Sequence, residues 1–162
     1  MRRTRPLPDT NPELIVIETP GLCYEYRVEN CHLAQDGSRR VEQGTSRLSW
    51  KDGLCTQILW ESILVIPPHG IQFETHRGFP PYPLFASRSF IPLIILQNFV
   101  INEGLRRWDV RFYLAAIKKA SSGAMSMEVA YENILPRFPV LIEVYHGIHG
   151  NLQTMNEDTQ NL

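Results

Sequence analysis

Histidine and cysteine are the side chains of this chain best suited to hold a metal ion or to move a proton. His146 and His149 lie three residues apart, a spacing that places two ligands on one face of a helix. No cysteine or acidic cluster accompanies them, so two ordinary surface side chains beside an apolar stripe are the alternative. His69 lies in a turn signal and His76 at the end of an alternating run, and we expect both to face solvent.

Motifs that would give the chain a catalytic reaction of its own are absent from the sequence. It has no Asp-x-Asp metal motif, no glycine-rich dinucleotide loop, no phosphate-binding loop and no Gly-x-Ser-x-Gly nucleophile elbow. We therefore predict no catalytic residue, no cofactor and no metal, and we look for the function in binding surfaces.

A proline-rich segment with aromatic side chains, residues 79–85, is the first candidate binding surface. Its contact residues would be Phe79, Tyr82 and Phe85. Because the segment 77–87 holds three prolines and a glycine, it is predicted to be an exposed loop that cannot pair along its length. Such a loop either docks on a partner or on the bilayer interface, or it is simply solvated.

A basic and aromatic triplet, Arg106-Arg107-Trp108, is the second candidate. Together with Lys118-Lys119 at the far end of the next predicted strand, it would form a basic patch for a lipid headgroup region. A solvated hairpin tip with one packed tryptophan is the alternative.

The chain is organised into four predicted parts. Residues 1–12 are rich in proline and arginine and form a disordered lead-in. Residues 13–59 contain two short strands around a turn signal at residues 19–21, followed by a polar loop. The main domain occupies residues 60–153, and a flexible tail follows at residues 154–162.

Within the main domain, apolar and polar residues alternate with a period of two, which predicts antiparallel strands. A turn is expected at Glu103-Gly104, braced by a buried Asn102. From Pro136 onward the period becomes helical. One apolar stripe then includes Leu141, Val144, Tyr145, Ile148 and Leu152.

Antiparallel strands followed by one amphipathic helix are the element order of a pleckstrin-homology-like (PH-like) fold. We therefore predict an α+β domain, a strongly curved antiparallel sheet or barrel whose opening is closed by the C-terminal helix. Its predicted core consists of Phe73, Phe112, Leu114, Leu141, Val144 and Ile148.

Composition excludes several classes of function. Sixteen basic residues face seventeen acidic ones, so net charge provides no field that would attract nucleic acid. Three cysteines without Cys-x-x-Cys spacing do not form a secreted disulfide framework and fit a reducing compartment. The longest apolar run, residues 90–96, is too short to cross a bilayer as a helix, so we expect no membrane span.

Five sequence segments, in order, resemble one known family. They are ESILVI..HGIQ at residues 61–72, FIPL at 90–93, FVINEG at 99–104, VRFYLAAI at 110–117 and ILPRF..LIEVY at 134–145. The resemblance is to PIG-H, an accessory subunit of the transferase that begins the synthesis of glycosylphosphatidylinositol (GPI) anchors. It extends from about residue 61 to about residue 152 and covers little of the first sixty residues.

The resemblance implies a non-catalytic role in a phosphatidylinositol N-acetylglucosaminyltransferase complex. The implied partners are the catalytic and other subunits of that complex, and the implied location is the cytosolic face of the endoplasmic reticulum membrane, reached through those partners. A free-standing PH-like module that binds a lipid or a peptide is the alternative. That alternative needs a concentrated basic site on one rim of the sheet.

One feature of the family is missing from this sequence. PIG-H relatives carry a hydrophobic hairpin of two membrane helices before the matching domain, whereas residues 35–60 of this chain are polar. Either the gene model has lost the segment that encodes the anchor, or this form is held at the membrane by its partners alone.

Overall fold

A computed structural model of the chain describes residues 2–4, 13–33, 41–43, 57–106, 108–120 and 122–160. The described part contains strands and one C-terminal helix, so the predicted α+β class is confirmed. The strands are β1 (Arg2–Thr4), β2 (Glu13–Thr19), β3 (Cys23–Glu29), β4 (Cys31–Leu33), β5 (Val41–Gln43), β6 (Ile58–Ile66), β7 (Gly70–Phe79), β8 (Tyr82–Pro92), β9 (Leu96–Arg106), β10 (Asp109–Lys119) and β11 (Met125–Ala130), and the helix is α1 (Phe138–Gln160).

The larger sheet has six antiparallel strands in the order β1-β2-β3-β6-β7-β8. The predicted hairpin around residues 19–21 is confirmed as β2–β3, and Leu22 N donates to Thr19 O across its turn at 3.0 Å. The continuous apolar run at residues 63–66 lies in β6, which is placed between β3 and β7. Its side chains are buried at Ile63 and Val65 because both point into the core of the domain.

The smaller sheet has three antiparallel strands in the order β11-β10-β9, and β4 and β5 pair separately as two short strands. The pair β4–β5 lies where the sequence predicted only a polar loop, and β1 lies within the predicted disordered lead-in, so both predictions are wrong at these positions. The other residues of 1–12, and residues 34–40 and 44–56 of the polar loop, lie outside the described residues.

The predicted loop at residues 77–87 is wrong, because these residues form the hairpin β7–β8. Its turn is made by Pro80 and Pro81, and Phe79 pairs with Tyr82 beside it. The chain passes so close to itself at Gly78 that a Cβ there would lie 2.8 Å from Leu84 N. An edge strand tolerates proline wherever the missing amide would face away from the neighbouring strand, which explains why Pro83 does not prevent pairing.

The predicted turn at Glu103-Gly104 is also wrong. Both residues lie within β9, where Glu103 pairs with Phe112 and Gly104 with Arg111. Asn102 is exposed and braces no turn. A Cβ at Gly104 would lie 3.1 Å from the Tyr113 ring, so this glycine serves close packing inside the strand pair and does not mark a strand end.

The core lies between the inner faces of the two sheets and α1. Of the six predicted core residues, Phe73 and Phe112 are partly buried against the core. The other four are fully buried, namely Leu114, Leu141, Val144 and Ile148. Among the described strands no pairing joins the six-stranded sheet to the three-stranded one, so no closed barrel is observed.

The helix α1 is longer than the predicted stripe, which ended at Leu152. It continues to Gln160 and so includes most of the segment that the sequence predicted to be a flexible tail. Pro139 lies in its first turn, where a backbone amide has no helical partner, as expected.

The helix α1 comes close to the large sheet at Gly147, which lies against the ring of Tyr26 from β3. A Cβ at this position would come within 2.6 Å of Tyr26 Cε1 and 2.7 Å of Cζ. On the same helix, Asn151 Nδ2 donates to the Tyr26 hydroxyl at 2.9 Å. Glycine at residue 147 is therefore required by packing, although glycine weakens an isolated helix.

We expect Gly147→Ala to lower the free energy of unfolding by about 1–3 kcal/mol, because Tyr26 must move to admit the methyl group. The matched control is Gly150→Ala, where a Cβ would meet no atom within 4 Å. The control should raise stability by about 0.5–1 kcal/mol through helix propensity alone. Urea unfolding of both variants measures the difference, and equal stabilisation by both would show that α1 does not dock on Tyr26.

Candidate functional site

The first candidate surface is a group of exposed apolar side chains at the end of the β7–β8 hairpin. Tyr82 and Phe85 have 72% and 61% of their surface exposed, and Phe79 is exposed beside them. The structure adds Leu84, which the sequence analysis missed although it lies between two of the predicted residues. We call Phe79, Tyr82, Leu84 and Phe85 the β7–β8 tip.

The second candidate surface lies at the turn between β9 and β10. Trp108 is fully exposed, so the alternative of a packed tryptophan is wrong. Leu105 and Val110 are exposed on either side of it and complete what we call the β9–β10 tip (Leu105, Trp108 and Val110). Arg107 and the side chain of Arg106 lie outside the described residues.

The predicted basic patch is not formed as one surface. Arg106 and Lys118 lie at opposite ends of the β9–β10 hairpin, and β10 spans roughly 30 Å over its length. Lys118 Nζ is also held by Glu128 Oε2 of β11 at 2.5 Å. A lipid headgroup would therefore not meet the four predicted basic residues together.

The two tips have a defined relation to the connection between the sheets. The turn at Leu93 to Ile95 joins β8 to β9, and Leu96 N donates to Leu93 O across it at 3.2 Å. The eleven-residue strand β8 runs from the β7–β8 tip to this turn, and the eleven-residue strand β9 runs from this turn to the β9–β10 tip. Exposed groups of large apolar side chains on a small domain mark surfaces that contact proteins or membranes.

A buried carboxylate, that of Glu61 on β6, ties the large sheet to the segment that follows β11. Its side chain is only 3% exposed. Oε2 accepts from the backbone amides of Asn133 at 3.2 Å and Ile134 at 3.0 Å, and Oε1 accepts from Asn133 Nδ2 at 2.7 Å. Thr75 Oγ1 donates to Oε1 as well, at 3.2 Å. Four donors thus replace the water that the carboxylate loses on burial.

The segment held by Glu61 has an unusual backbone. Tyr131 and Leu135, at its two ends, have φ angles of 54° and 48°, which side-chain-bearing residues rarely adopt. The buried Tyr131 hydroxyl donates to Tyr26 O at 2.8 Å, and burial raises the pKa of this phenol well above its ordinary value. These hydrogen bonds stabilise the strained turn and fix the start of α1.

Between the two sheets and this turn lies a cleft of about 420 Å³. Its walls come from β6, β7, β8 and β11 and are largely polar. They include Glu61, Thr75, Ser87, Ser89, Glu128, Glu132 and Asn133. No lysine or arginine lines this cleft, so it favours a cationic or neutral hydrogen-bonding group over a phosphate.

A second polar group, on β7 and β8, is satisfied within the sheet. Burial raises the pKa of the Glu74 carboxyl, but hydrogen bonds from His76, Arg88 and Gln72 outweigh it and leave that pKa below its ordinary value. His76 Nε2 lies 2.8 Å from Glu74, and its ring stacks on Trp60 at 4.5 Å. His76 is therefore part of a network of side chains on the sheet surface. The prediction that it faces solvent is wrong.

The two histidines of α1, His146 and His149, lie beside the same tyrosine ring. The rings of His146 and His149 both contact Tyr145, at 5.7 Å and 4.2 Å between centroids. Among the described residues, no group of three histidine, cysteine or acidic side chains is placed to hold an ion. No helix in the described part is both long and apolar enough to cross a membrane.

Comparison with known proteins gives one family and one curated relative. Residues 62–132 match the family described as the PIG-H component of the GPI-GlcNAc transferase complex. Over 85 residues the chain is 34% identical to phosphatidylinositol N-acetylglucosaminyltransferase subunit gpi15 of Schizosaccharomyces pombe, and the alignment covers 52% of this chain. It covers 49% of the relative, so the chain spans about half the length of that protein. No solved structure matches the chain.

The matched span contains both exposed tips and most of the cleft. It begins one residue after Glu61 and ends one residue before Asn133. The burial of Glu61 could have been predicted from the sequence, because it falls on the same face of β6 as the apolar Ile63 and Val65. Its pairing with Asn133 could not, since Asn133 is 72 residues away.

We expect Glu61→Gln to lower the free energy of unfolding by about 1–3 kcal/mol, because the amide nitrogen that replaces one carboxylate oxygen then faces hydrogen-bond donors. Depending on the oxygen replaced, these donors are either Thr75 Oγ1 and Asn133 Nδ2 or the backbone amides of Asn133 and Ile134. The control is Glu18→Gln, an exposed carboxylate on β2 that should change stability by less than about 0.5 kcal/mol. Thermal and urea unfolding measure both variants. Equal effects at the two positions would contradict a structural role for the Glu61 carboxylate.

Proposed function

We propose that this chain is a non-catalytic subunit of a GPI-GlcNAc transferase complex, because its residues 62–132 match the family of the PIG-H component. Such a complex transfers GlcNAc from UDP-GlcNAc to phosphatidylinositol, the first step of GPI-anchor synthesis. The observation that carries the proposal is the family match over β6 to β11, supported by the 34% identity to the fission yeast subunit.

The proposed mechanism is scaffolding. The chain packs against the catalytic subunit and keeps that subunit next to its lipid substrate, while the transfer reaction takes place in the partner. The arrangement of side chains supports this role, because Glu61 and Glu74 are engaged by donors within the fold. The large side chains exposed at the two tips are apolar and suited to contact.

The contact surface that we propose consists of the β7–β8 tip and the β9–β10 tip. It includes the residues expected from the sequence, namely Phe79, Tyr82, Phe85, Arg106, Arg107 and Trp108. Aromatic side chains on a rigid hairpin lose little conformational entropy when they are buried, which makes them effective contact residues.

We also propose that the fold is PH-like. The four strands β3, β6, β7 and β8, then β9 to β11, then α1 follow the element order of that fold. In this proposal β1 and β2 extend the larger sheet. The chain would act at the cytosolic face of the endoplasmic reticulum membrane, held there by its partner subunits.

The proposal is tested in cells that lack their own PIG-H subunit. The tagged chain should co-purify with the catalytic transferase subunit and restore GPI-anchored proteins at the cell surface. A version with a membrane hairpin grafted before Glu61 should restore more, because an anchor raises effective concentration by about a hundredfold. A folded, well-expressed, grafted chain that recovers no catalytic subunit would refute the proposed function.

The contact surface makes a separate prediction. Replacing Phe79, Tyr82 and Phe85 together by serine should weaken association with the catalytic subunit by at least about tenfold. The thermal midpoint should be retained, since these side chains lie outside the core. Leu22→Ser is the control, because Leu22 is equally exposed but lies on the β2–β3 turn, outside the matched span. Unchanged association of the triple variant would place the interface elsewhere.

A further inference from the structure

The outer side of β8 is an open sheet edge. We infer that this edge is completed by an extended strand from another subunit of the complex, a strand that places a basic side chain over the neighbouring cleft. The inference rests on the proposed function, because it names how one of the partners is held.

Among the described strands, β8 pairs only with β7. Its residues 82–90 are all exposed, although β8 is eleven residues long. The other long edge strand, β9, differs because α1 packs on it and His149 Nε2 lies 3.4 Å from Phe99 O. The long edge without such cover in the described part is therefore β8.

The register shows which backbone groups are available. Leu93 N donates to His69 O at 3.1 Å, and hydrogen-bonded pairs alternate along an antiparallel ladder. By this alternation, the amides that point at β7 are those of Phe85, Ser87, Ser89 and Ile91. The amides and carbonyls of Ala86, Arg88 and Phe90 then point away from the sheet. A second polypeptide backbone in extended form matches this row of donors and acceptors.

Natural edge strands are usually blunted by charge or proline, and β8 is not blunted over its middle. Arg88 is the single charged residue of the strand. Its side chain is drawn back across the sheet, where Nε lies 2.9 Å from Glu74 Oε1. The prolines of the strand are confined to its two ends, at Pro83 and Pro92. They limit the open ladder to the residues between them.

The cleft beside this edge specifies the charge of the added strand. Ser87 and Ser89 face the cleft from β8, and alternate side chains of an added strand would extend the same wall. The lining includes the carboxylates of Glu61, Glu128 and Glu132 but no lysine or arginine. Glu132 is exposed. Glu61 is already satisfied by its donors, and Glu128 is paired with Lys118. The exposed Glu132 is therefore the carboxylate that a lysine or arginine side chain on the added strand complements.

Amide hydrogen exchange of the full chain, free and in the complex purified through a tag on the catalytic subunit, gives the direct test. In the free chain the amides of Ala86, Arg88 and Phe90 should exchange fast, whereas those of Phe85, Ser87 and Ser89 are already protected. In the complex the first group should slow by at least about tenfold. Side-chain contact alone would not produce this alternating pattern.

Two variants test the same edge by association. Ala86→Pro removes an outward amide and leaves the pairing with β7, so recovery of the catalytic subunit should fall at least about tenfold. Ala86→Ser keeps the amide and is the control. Glu132→Lys should weaken association, whereas Glu18→Lys makes the same charge change on β2 and should not.

The possible outcomes separate the two claims. If the unaltered chain recovers no transferase subunit, the proposed function fails and the docking strand falls with it. If the complex forms but Ala86, Arg88 and Phe90 exchange as fast as in the free chain, only the docking strand is refuted. Normal recovery of a folded Ala86→Pro variant would refute the docking strand as well. If that variant does not fold, the exchange pattern of the unaltered complex decides.

Discussion

The contacts of Tyr26 hold the larger sheet, the helix α1 and the end of β11 together. Its ring lies directly against Gly147, where an added Cβ would come within 2.6 Å of the ring, so the helix comes close to the sheet at this residue. Its hydroxyl accepts from Asn151 one helical turn further along, and its carbonyl accepts from the buried Tyr131 hydroxyl. One residue of β3 therefore contacts the helix and the end of the smaller sheet. The two sheets and α1 enclose the core because these contacts hold them at fixed distances.

Glu61 provides a second connection between the same parts. A buried carboxylate is expensive unless it is fully hydrogen-bonded, and the chain supplies the donors from a turn with two positive φ angles. The hydrogen bonds between the carboxylate and the turn offset both the strain of the turn and the desolvation of the carboxylate. The buried polar groups of Tyr26, Glu61 and Tyr131 thus bind one another's segments within the domain. The exposed tips and the β8 edge remain available for other molecules.

The sequence was sufficient where local signals and the final fold agree. The turn at residues 19–21 and the helical stripe from Leu141 to Ile148 predicted the β2–β3 hairpin and the buried face of α1. It failed at residues 77–87, because prolines that interrupt a central strand are compatible with an edge strand and with a turn. It also failed at Glu103-Gly104, where the glycine makes room for Tyr113 inside a strand pair. The candidate contact residues Phe79, Tyr82, Phe85 and Trp108 were identified from composition, while the Glu61 turn required a contact across 72 residues that no local pattern contains.

Gly147, which makes room for the Tyr26 ring, also affects how the domain folds and unfolds. α1 contains two glycines, no acidic residue in its first turn and no basic residue in its last, so little within the segment itself favours helix. Its helical state is stabilised mainly by the surface on which it lies. Helix formation and assembly of the sheets are consequently a single cooperative event, and a population with an intact helix over a melted sheet would have no source of stability.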